Sequence, residues 1–233
     1  MKLSIIIPAY NESSVIFDTL NKYYLFFTKK LQKDFELIVV SNNCSDKTFE
    51  ISSSFSQDKD NVIVFNIPNY CGKGKSVMEG FRLAKGEMVG FTDADNSTNP
   101  ENFYKLYSKI GNHDGIIASR RKKGARIIPS RAFHKELSSR IFNELTNLLF
   151  NLGFADTQCG AKIFTKEAKS VLLKNYSETG WIFDVDLLYI CKKKGLKIME
   201  IPITWTDSDR KSKLTLWDKI KSLYSLFKYK FKK

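Results

Sequence analysis

The chain has 233 residues, 42% hydrophobic and 13% aromatic, enough to bury a substantial core, which excludes an intrinsically disordered segment. Its net charge of +13 is uneven: residues 1–113 carry 13 Lys+Arg against 13 Asp+Glu, while residues 114–233 carry 25 against 12. Four scattered cysteines (Cys44, Cys71, Cys159, Cys191) without a C-x-x-C pair, and only two histidines, argue against a zinc site and for reduced intracellular thiols.

Leu3–Ile7 is a buried-strand candidate that follows Met1-Lys2 directly, so no secretory leader is expected. Residues 13–31 read as a helix capped by Ser13 or Ser14. Phe35–Val40 is a second strand, 46–56 a second helix and Val62–Phe65 a third strand. A helix over 74–85 leads to a strand over 87–92, and another helix begins near Pro100. This rhythm of β-branched strands and amphipathic stretches predicts an α/β fold with a mostly parallel sheet flanked by helices. In such sheets ligands sit beyond the carboxyl ends of the strands. Pro8–Glu12, Ser41–Asp46 and Asp93–Ser97 all fall there.

After residue 113 the rhythm weakens. Gly115–Ser119 reads as a fifth strand, followed by a basic cluster from Arg120 to Arg126 and Arg131. A helix over 131–152 places Phe133, Leu137, Ile141, Leu145, Leu148 and Leu149 on one stripe. Asp156–Gly160 is a polar loop, 181–194 helical and 197–205 strand-like. From Leu214 the tail sets Trp217, Ile220, Tyr224, Phe227 and Phe231 at helical spacing among lysines. Either the Trp217/Ile220/Phe227 stripe packs on the domain, or the tail lies in anionic headgroups as an interfacial helix. The expected organisation is one domain over 1–213 with a basic amphipathic helical extension over 214–233. No run of 18 apolar residues occurs, so a bilayer span is not expected.

Three constellations carry chemistry. Asp93 and Asp95 end a short apolar strand, and side chains two apart in an extended segment share a face. Two converging carboxylates suit a hard divalent cation carrying substrate phosphates, whereas a polar turn capping the helix at Pro100 is the plainer alternative. Gly72-Lys73-Gly74-Lys75 precedes a helix, where close backbone approach and lysine charge suit a phosphate, and where a simple turn fits equally. Arg120, Arg126 and Arg131 follow a strand end, and arginine favours bidentate phosphate contacts, although most charge runs are solvated loops. The basic half implies an anionic partner: anionic lipid, a phosphorylated substrate or nucleic acid. With no helix-turn-helix, zinc-finger or RNP-type signature, nucleic acid is not expected.

Taken together, these loops resemble glycosyltransferase family 2, and within it the dolichyl-phosphate glucosyltransferase and mannosyltransferase branch. The resemblance spans residues 3–214. It rests on Ser4–Glu12, Gly72–Gly80, Thr92–Asp95, Asp156–Phe164, and Trp181–Leu188 with Trp205 and Ser212-Lys213-Leu214. It implies a GT-A fold, a nucleotide-sugar donor, Mg²⁺ or Mn²⁺ as cofactor and a polyprenyl- or dolichyl-phosphate acceptor at the cytoplasmic membrane face, with peripheral attachment to an anionic surface. UDP-glucose is the favoured donor and GDP-mannose the second.

On that resemblance Pro8, Tyr10 and Glu12 cradle the nucleotide with help from Asn42 and Lys75. Asp93 and Asp95 hold the metal on the diphosphate. Arg120, Arg126 and Arg131 meet the acceptor phosphate, with Arg120 also at the reaction centre. The family's second strand ends in Asp-Asp-Gly-Ser-x-Asp-x-Thr, but here the stretch is Ser41-Asn42-Asn43-Cys44-Ser45-Asp46-Lys47-Thr48, without the two leading acids. A phosphate acceptor is already anionic near neutral pH and needs no strong base. A hydroxyl acceptor would need one, and Asp156, Asp184 and Asp186 are the candidates. The competing readings are a soluble family member acting on a glycan or small hydroxyl acceptor, and a non-catalytic membrane-binding relative.

Overall fold

Each apolar run of the first half becomes a strand, because β-branched side chains on both faces suit a sheet covered by helices on both sides. In the computed structural model, which describes residues 1–129, 133–177, 180, 182–206 and 216–232, these are β1 (Leu3–Ala9), β2 (Phe35–Asn42), β3 (Val62–Ile67) and β4 (Met88–Phe91). They alternate with α1 (Ile16–Leu31), α2 (Thr48–Ser56), α3 (Gly72–Leu83) and α4 (Pro100–Lys109). The second half adds β5 (Gly115–Ser119), β6 (Arg126–Ile128), α5 (Phe133–Phe150), β7 (Lys162–Thr165), α6 (Lys166–Asn175) and α7 (Phe183–Lys193). It closes with β8 (Ile198–Pro202), β9 (Thr204–Thr206) and α8 (Leu216–Lys232). Arg131, Trp181, Ser212, Lys213 and Leu214, all of which enter the sequence reading, lie outside the described residues, as do the side chains of Phe133, Trp217 and Ile220.

A seven-stranded sheet runs β3-β2-β1-β4-β7-β5-β8, with β6 and β9 paired separately. All its pairings are parallel except that β7 is antiparallel to β4 and β5. The mostly parallel α/β architecture is therefore as expected. Successive residues of a strand feed opposite layers. Ile5, Leu37 and Val39 pack under Leu20, Phe27 and Phe103, whereas Ile6, Ile38 and Val40 pack under Val77, Met78 and Phe81. Each such buried side chain contributes about 1.5–3 kcal/mol. The second layer is close, since a Cβ added at Gly80 would stand 2.5 Å from Ile6 Cγ2.

Several boundaries differ from expectation. α1 starts at Ile16 behind Val15, with no side-chain cap, because the Ser13 amide is turned onto Asp46 Oδ2. The predicted 197–205 strand is two, broken at Ile203, whose amide donates to Ser119 O and whose carbonyl accepts from Arg126 N. β7 and α6 were not anticipated.

α5 divides its expected stripe: Leu145 and Leu149 pack against the cluster that holds Phe150 and Leu188. Its buried face carries Asn143, Thr146 and Phe150, while Leu137, Ile141 and Leu148 of the predicted stripe are 45%, 59% and 80% exposed. In α8 Leu226 and Tyr229 are buried against Phe150 and Tyr189, while Tyr224, Phe227 and Phe231 are exposed. Phe227, placed in the packing stripe by spacing, is therefore on the outer side.

Candidate active site

β1, β2 and β4 deliver three loops to one edge, and each loop turns through an asparagine in the left-handed region: Asn11 (φ 53°), Asn43 (φ 52°) and Asn96 (φ 57°). Asparagine tolerates that conformation better than most side chains. The first two loops are tied by neutral donors. Asn11 Oδ1 accepts from Ser45 N at 2.8 Å, Thr48 Oγ1 from Glu12 N at 2.7 Å, and Asp46 from Ser13 N and Thr48 N, both at 3.0 Å. Burial alone would raise the Asp46 carboxyl, but these bonds from Thr48 and Ser13 outweigh it and hold it at about 2. Tyr10, 43% exposed, sets its ring 4.8 Å from that of Tyr70. Asn42 is buried and its Oδ1 accepts from Cys71 N at 3.1 Å, so it fixes the entry to α3.

The third loop carries the carboxylates, and α1 holds it from below. Thr19 Oγ1 donates to Ala94 O at 2.7 Å and Tyr23 Oη to Thr98 O at 2.6 Å. Asp95 Oδ1 accepts from Ser97 N at 3.0 Å and from the Ser97 hydroxyl. Asp93 lies against Gly160, where a Cβ would stand 1.9 Å from Oδ2, and its Oδ1 receives Lys73 Nζ at 2.6 Å. Burial would raise the Asp93 carboxyl, yet the charges of Lys73, Lys162 and Arg120 bring it below the ordinary carboxylate range.

The opposite wall is built from buried ion pairs. Arg120 Nε and Nη2 meet Asp156 Oδ2 and Oδ1 at 2.7 and 2.9 Å, and the Arg120 amide adds a third bond at 3.0 Å. Burial opposes the Asp156 charge, but Arg120 wins and holds the carboxyl at about 2. The guanidinium also lies over the Trp205 ring, 5.6 Å from its centroid. Lys162, fully buried, binds Asp184 Oδ1 at 2.5 Å and Cys159 O at 2.6 Å.

The loop bearing Asp156 is itself clamped. Glu200 accepts from Ala155 N and Asp156 N at 3.0 and 2.8 Å. Asn143 and Asn147 of α5 donate to Phe154 O and accept from Thr157 N and Gly153 N. That grip is why α5 turns Asn143 and Asn147 toward the loop.

The structure thus brings together Asp93, Asp95, Arg120, Asp156 and Asp184 of the expected residues, with Pro8, Tyr10, Glu12 and Asn42 at the same sheet edge. Five of the expected residues are held differently. Asp156 is a counter-ion to Arg120 and Asp184 to Lys162, so neither is disposed as a base. Asp186 accepts from Ser177 N at 2.8 Å and from the Tyr229 hydroxyl, which makes it the anchor of α8. Lys75 is exposed, and it is Lys73 that reaches the carboxylates. Arg126 sits exposed in the separate β6–β9 pair. Of the other residues here, Glu200 and Tyr70 lie outside the sequence motifs, Gly160 and Lys162 lie within Asp156–Phe164, and Lys73 belongs to the Gly72–Lys75 loop expected at a phosphate.

A hard divalent cation fits this corner by donor chemistry. Asp93 and Asp95 offer oxygen ligands, and among the described residues no cluster of three or more His, Cys, Asp or Glu surrounds them. Such an ion would complete its shell with phosphate oxygens and water, as Mg²⁺ commonly does. Asn96 Oδ1, beside Asp95, is buried without a hydrogen-bond partner, an acceptor suited to a water or sugar hydroxyl.

Comparison with known proteins agrees with this geometry. The profile of glycosyl transferase family 2 matches residues 4–172. A dolichyl-phosphate beta-glucosyltransferase of Trichomonas vaginalis is 30% identical over 97% of this chain and 72% of its own length. The dolichyl-phosphate beta-glucosyltransferase of Homo sapiens is 29% identical over 93% and 71%. Glucosyl-3-phosphoglycerate synthase from Mycobacterium tuberculosis, solved with Mn²⁺ and UDP-glucose, superposes with a TM-score of 0.71 at 16% identity over 98% of this chain and 78% of that one.

Proposed function

The chain belongs to glycosyl transferase family 2, in its dolichyl-phosphate glucosyltransferase-like branch with the GT-A fold, and from that premise we propose that it transfers a hexose from a nucleotide-sugar to a polyprenyl or dolichyl phosphate. UDP-glucose is the donor favoured by those relatives and GDP-mannose the alternative. The acceptor reading rests on the state of the carboxylates. A hydroxyl acceptor needs a base, yet Asp156, Asp184 and Asp186 are each bound by a cation or by donors. A phosphomonoester oxygen, with a second pKa of about 6, is already anionic and needs only to be positioned.

In this mechanism Tyr10, with Tyr70 beside it, receives the base, while Pro8 and Glu12 border the nucleoside. Asp93 and Asp95 would hold Mg²⁺ or Mn²⁺. When bound, the ion supplies charge neutralisation to the departing nucleoside diphosphate. Arg120, kept rigid by Asp156, presents a fixed positive charge near Asp93, where the acceptor phosphate would lie for in-line attack with inversion. Gly160, without a side chain, lets the Asp93 carboxylate lie against its backbone.

Attachment to the cytoplasmic membrane face is peripheral on this reading. Among the described residues no helix is long and apolar enough to cross a membrane. α5 exposes Leu137, Ile141 and Leu148, and α8 exposes Tyr224 and Phe231 with Lys221 and Lys228, a composition suited to anionic headgroups. The test is incubation of the purified protein with labelled UDP-glucose or GDP-mannose, dolichyl phosphate and Mn²⁺. Label is expected in the lipid with the wild type and absent from it with Asp95→Ala; donor binding without lipid labelling would overturn the acceptor assignment.

A further inference from the structure

Asp93 is neutralised before any ligand arrives. Lys73 Nζ stands 2.6 Å from its Oδ1, with the two side chains 36% and 39% exposed. The position is enforced. Gly72 starts α3 at φ 80°, and Asn42 holds the preceding amide. On the far side the Phe183 ring is so close that a Cβ at Gly74 would meet it at 2.6 Å. Lys73 therefore leaves the first turn of a helix pressed onto α7, and its ammonium lies 5.6 Å from the centroid of the Phe91 ring. Around it Arg120 is matched by Asp156 and Lys162 by Asp184. Three carboxylates and three cations cancel, and of the three pairs Lys73–Asp93 is the one whose acid is assigned to the metal.

We propose that Lys73 is a stand-in for the divalent cation, holding Asp93 until the ion arrives together with the donor's diphosphate and then yielding the carboxylate to it. The inference rests on the metal role of Asp93 and Asp95 given above. An ion placed alone on Asp93 meets the Lys73 ammonium as a like charge in a half-buried site, where such repulsion is poorly screened. A diphosphate relieves both charges at once. Ion and nucleotide therefore bind with positive coupling, which by linkage is the same in either order.

The test titrates Mn²⁺ into the full chain without nucleotide, reading the free aquo-ion by its EPR signal, for wild type, Lys73→Gln, Lys73→Arg and Asp95→Ala. Lys73→Gln is expected to bind Mn²⁺ roughly tenfold more tightly than wild type, about 1.4 kcal/mol. Lys73→Arg stays near wild type and Asp95→Ala falls below both. Adding UDP then tightens Mn²⁺ binding more in wild type than in Lys73→Gln. Damage to the fold would weaken binding, the opposite sign. Equal or weaker Mn²⁺ binding by Lys73→Gln overturns the stand-in role. If neither protein takes up Mn²⁺ even with UDP present, the metal assignment fails, and the proposal with it.

Discussion

The two walls of the site are held by different chemistry. On the donor side Asn11, Ser13, Asp46, Thr48, Thr19 and Tyr23 tie the loops with hydroxyl, amide and backbone donors. On the facing side Arg120–Asp156 and Lys162–Asp184 are ion pairs sunk into the protein. The contrast follows the chain, since the first 113 residues are neutral and the remainder carries the whole +13. On the donor side the ties come from neutral donors, and Asp93, paired with Lys73, and Asp95 stand at the edge where the proposed metal and diphosphate would lie. Fixed cations opposite need their own counter-ions, because a buried charge left alone is costly. The two walls thus carry different stability costs.

Removing a counter-ion probes that difference most severely. Asp156→Asn leaves the Arg120 guanidinium, whose side chain is 11% exposed, without its anion. A loss of about 3–5 kcal/mol in denaturant unfolding is expected. Thr48→Ala, which removes a neutral tie on the other wall, is expected to cost about 1 kcal/mol. Equal costs would erase the distinction between the walls.

Acid probes both walls together. Asp156 and Asp46 titrate at about 2 in the folded protein, below the ordinary Asp value of about 3.9. A depressed folded value contributes stability that is present above about pH 4 and lost as pH falls toward 2. For buried Asp156 this is ~2–3 kcal/mol. Stability should therefore be insensitive to these groups from pH 5 to 8 and fall steeply below 4. The fall should be shallower in Asp156→Asn, as measured by urea unfolding at each pH.

Gly160→Ala acts where the walls touch. Its methyl would occupy the place of Asp93 Oδ2. Transfer is expected to drop about 10–100-fold, ~1.4–2.7 kcal/mol, with near-wild-type thermal unfolding. Unchanged transfer would mean that Asp93 is free to move without consequence.

The donor wall was largely legible in the sequence because strands β1 to β4 and the loops after them follow apolar periodicity and a local Asp-x-Asp. The facing wall was less so. Lys162 opens a strand yet is fully buried, and its partner Asp184 is 22 residues away, so no local pattern joins them. Choosing between Lys73 and Lys75 required the helix phase. Two residues are about 200° of turn, and α3 begins at Gly72 rather than at 74. In α5 periodicity gives the apolar stripe but not which of its residues meet the core: Leu145 and Leu149 pack inward, whereas Leu137, Ile141 and Leu148 are exposed. The inward side is decided by Asn143 and Asn147 binding the 153–157 loop, a tertiary demand that no window of the helix contains.

The exposed part of that stripe gives the smallest expected effect on stability and the sharpest test of the outer surface. Ile141 and Leu148 are 59% and 80% exposed, so Ile141→Glu with Leu148→Glu removes little buried area and should change unfolding by no more than about 0.5 kcal/mol. If the stripe lies in headgroups, each apolar side chain contributes up to about 1.5–3 kcal/mol to partitioning. Flotation with anionic liposomes should then fall about tenfold or more for the pair. Phe231→Glu on α8, 84% exposed, provides the parallel measurement on the neighbouring helix. A loss in α8 alone would make the tail the lipid-facing element and leave α5 turned outward only because its polar face is needed to hold Asp156 against Arg120. Unchanged flotation in both would remove the peripheral surface, while the wall of ion pairs behind it would stand.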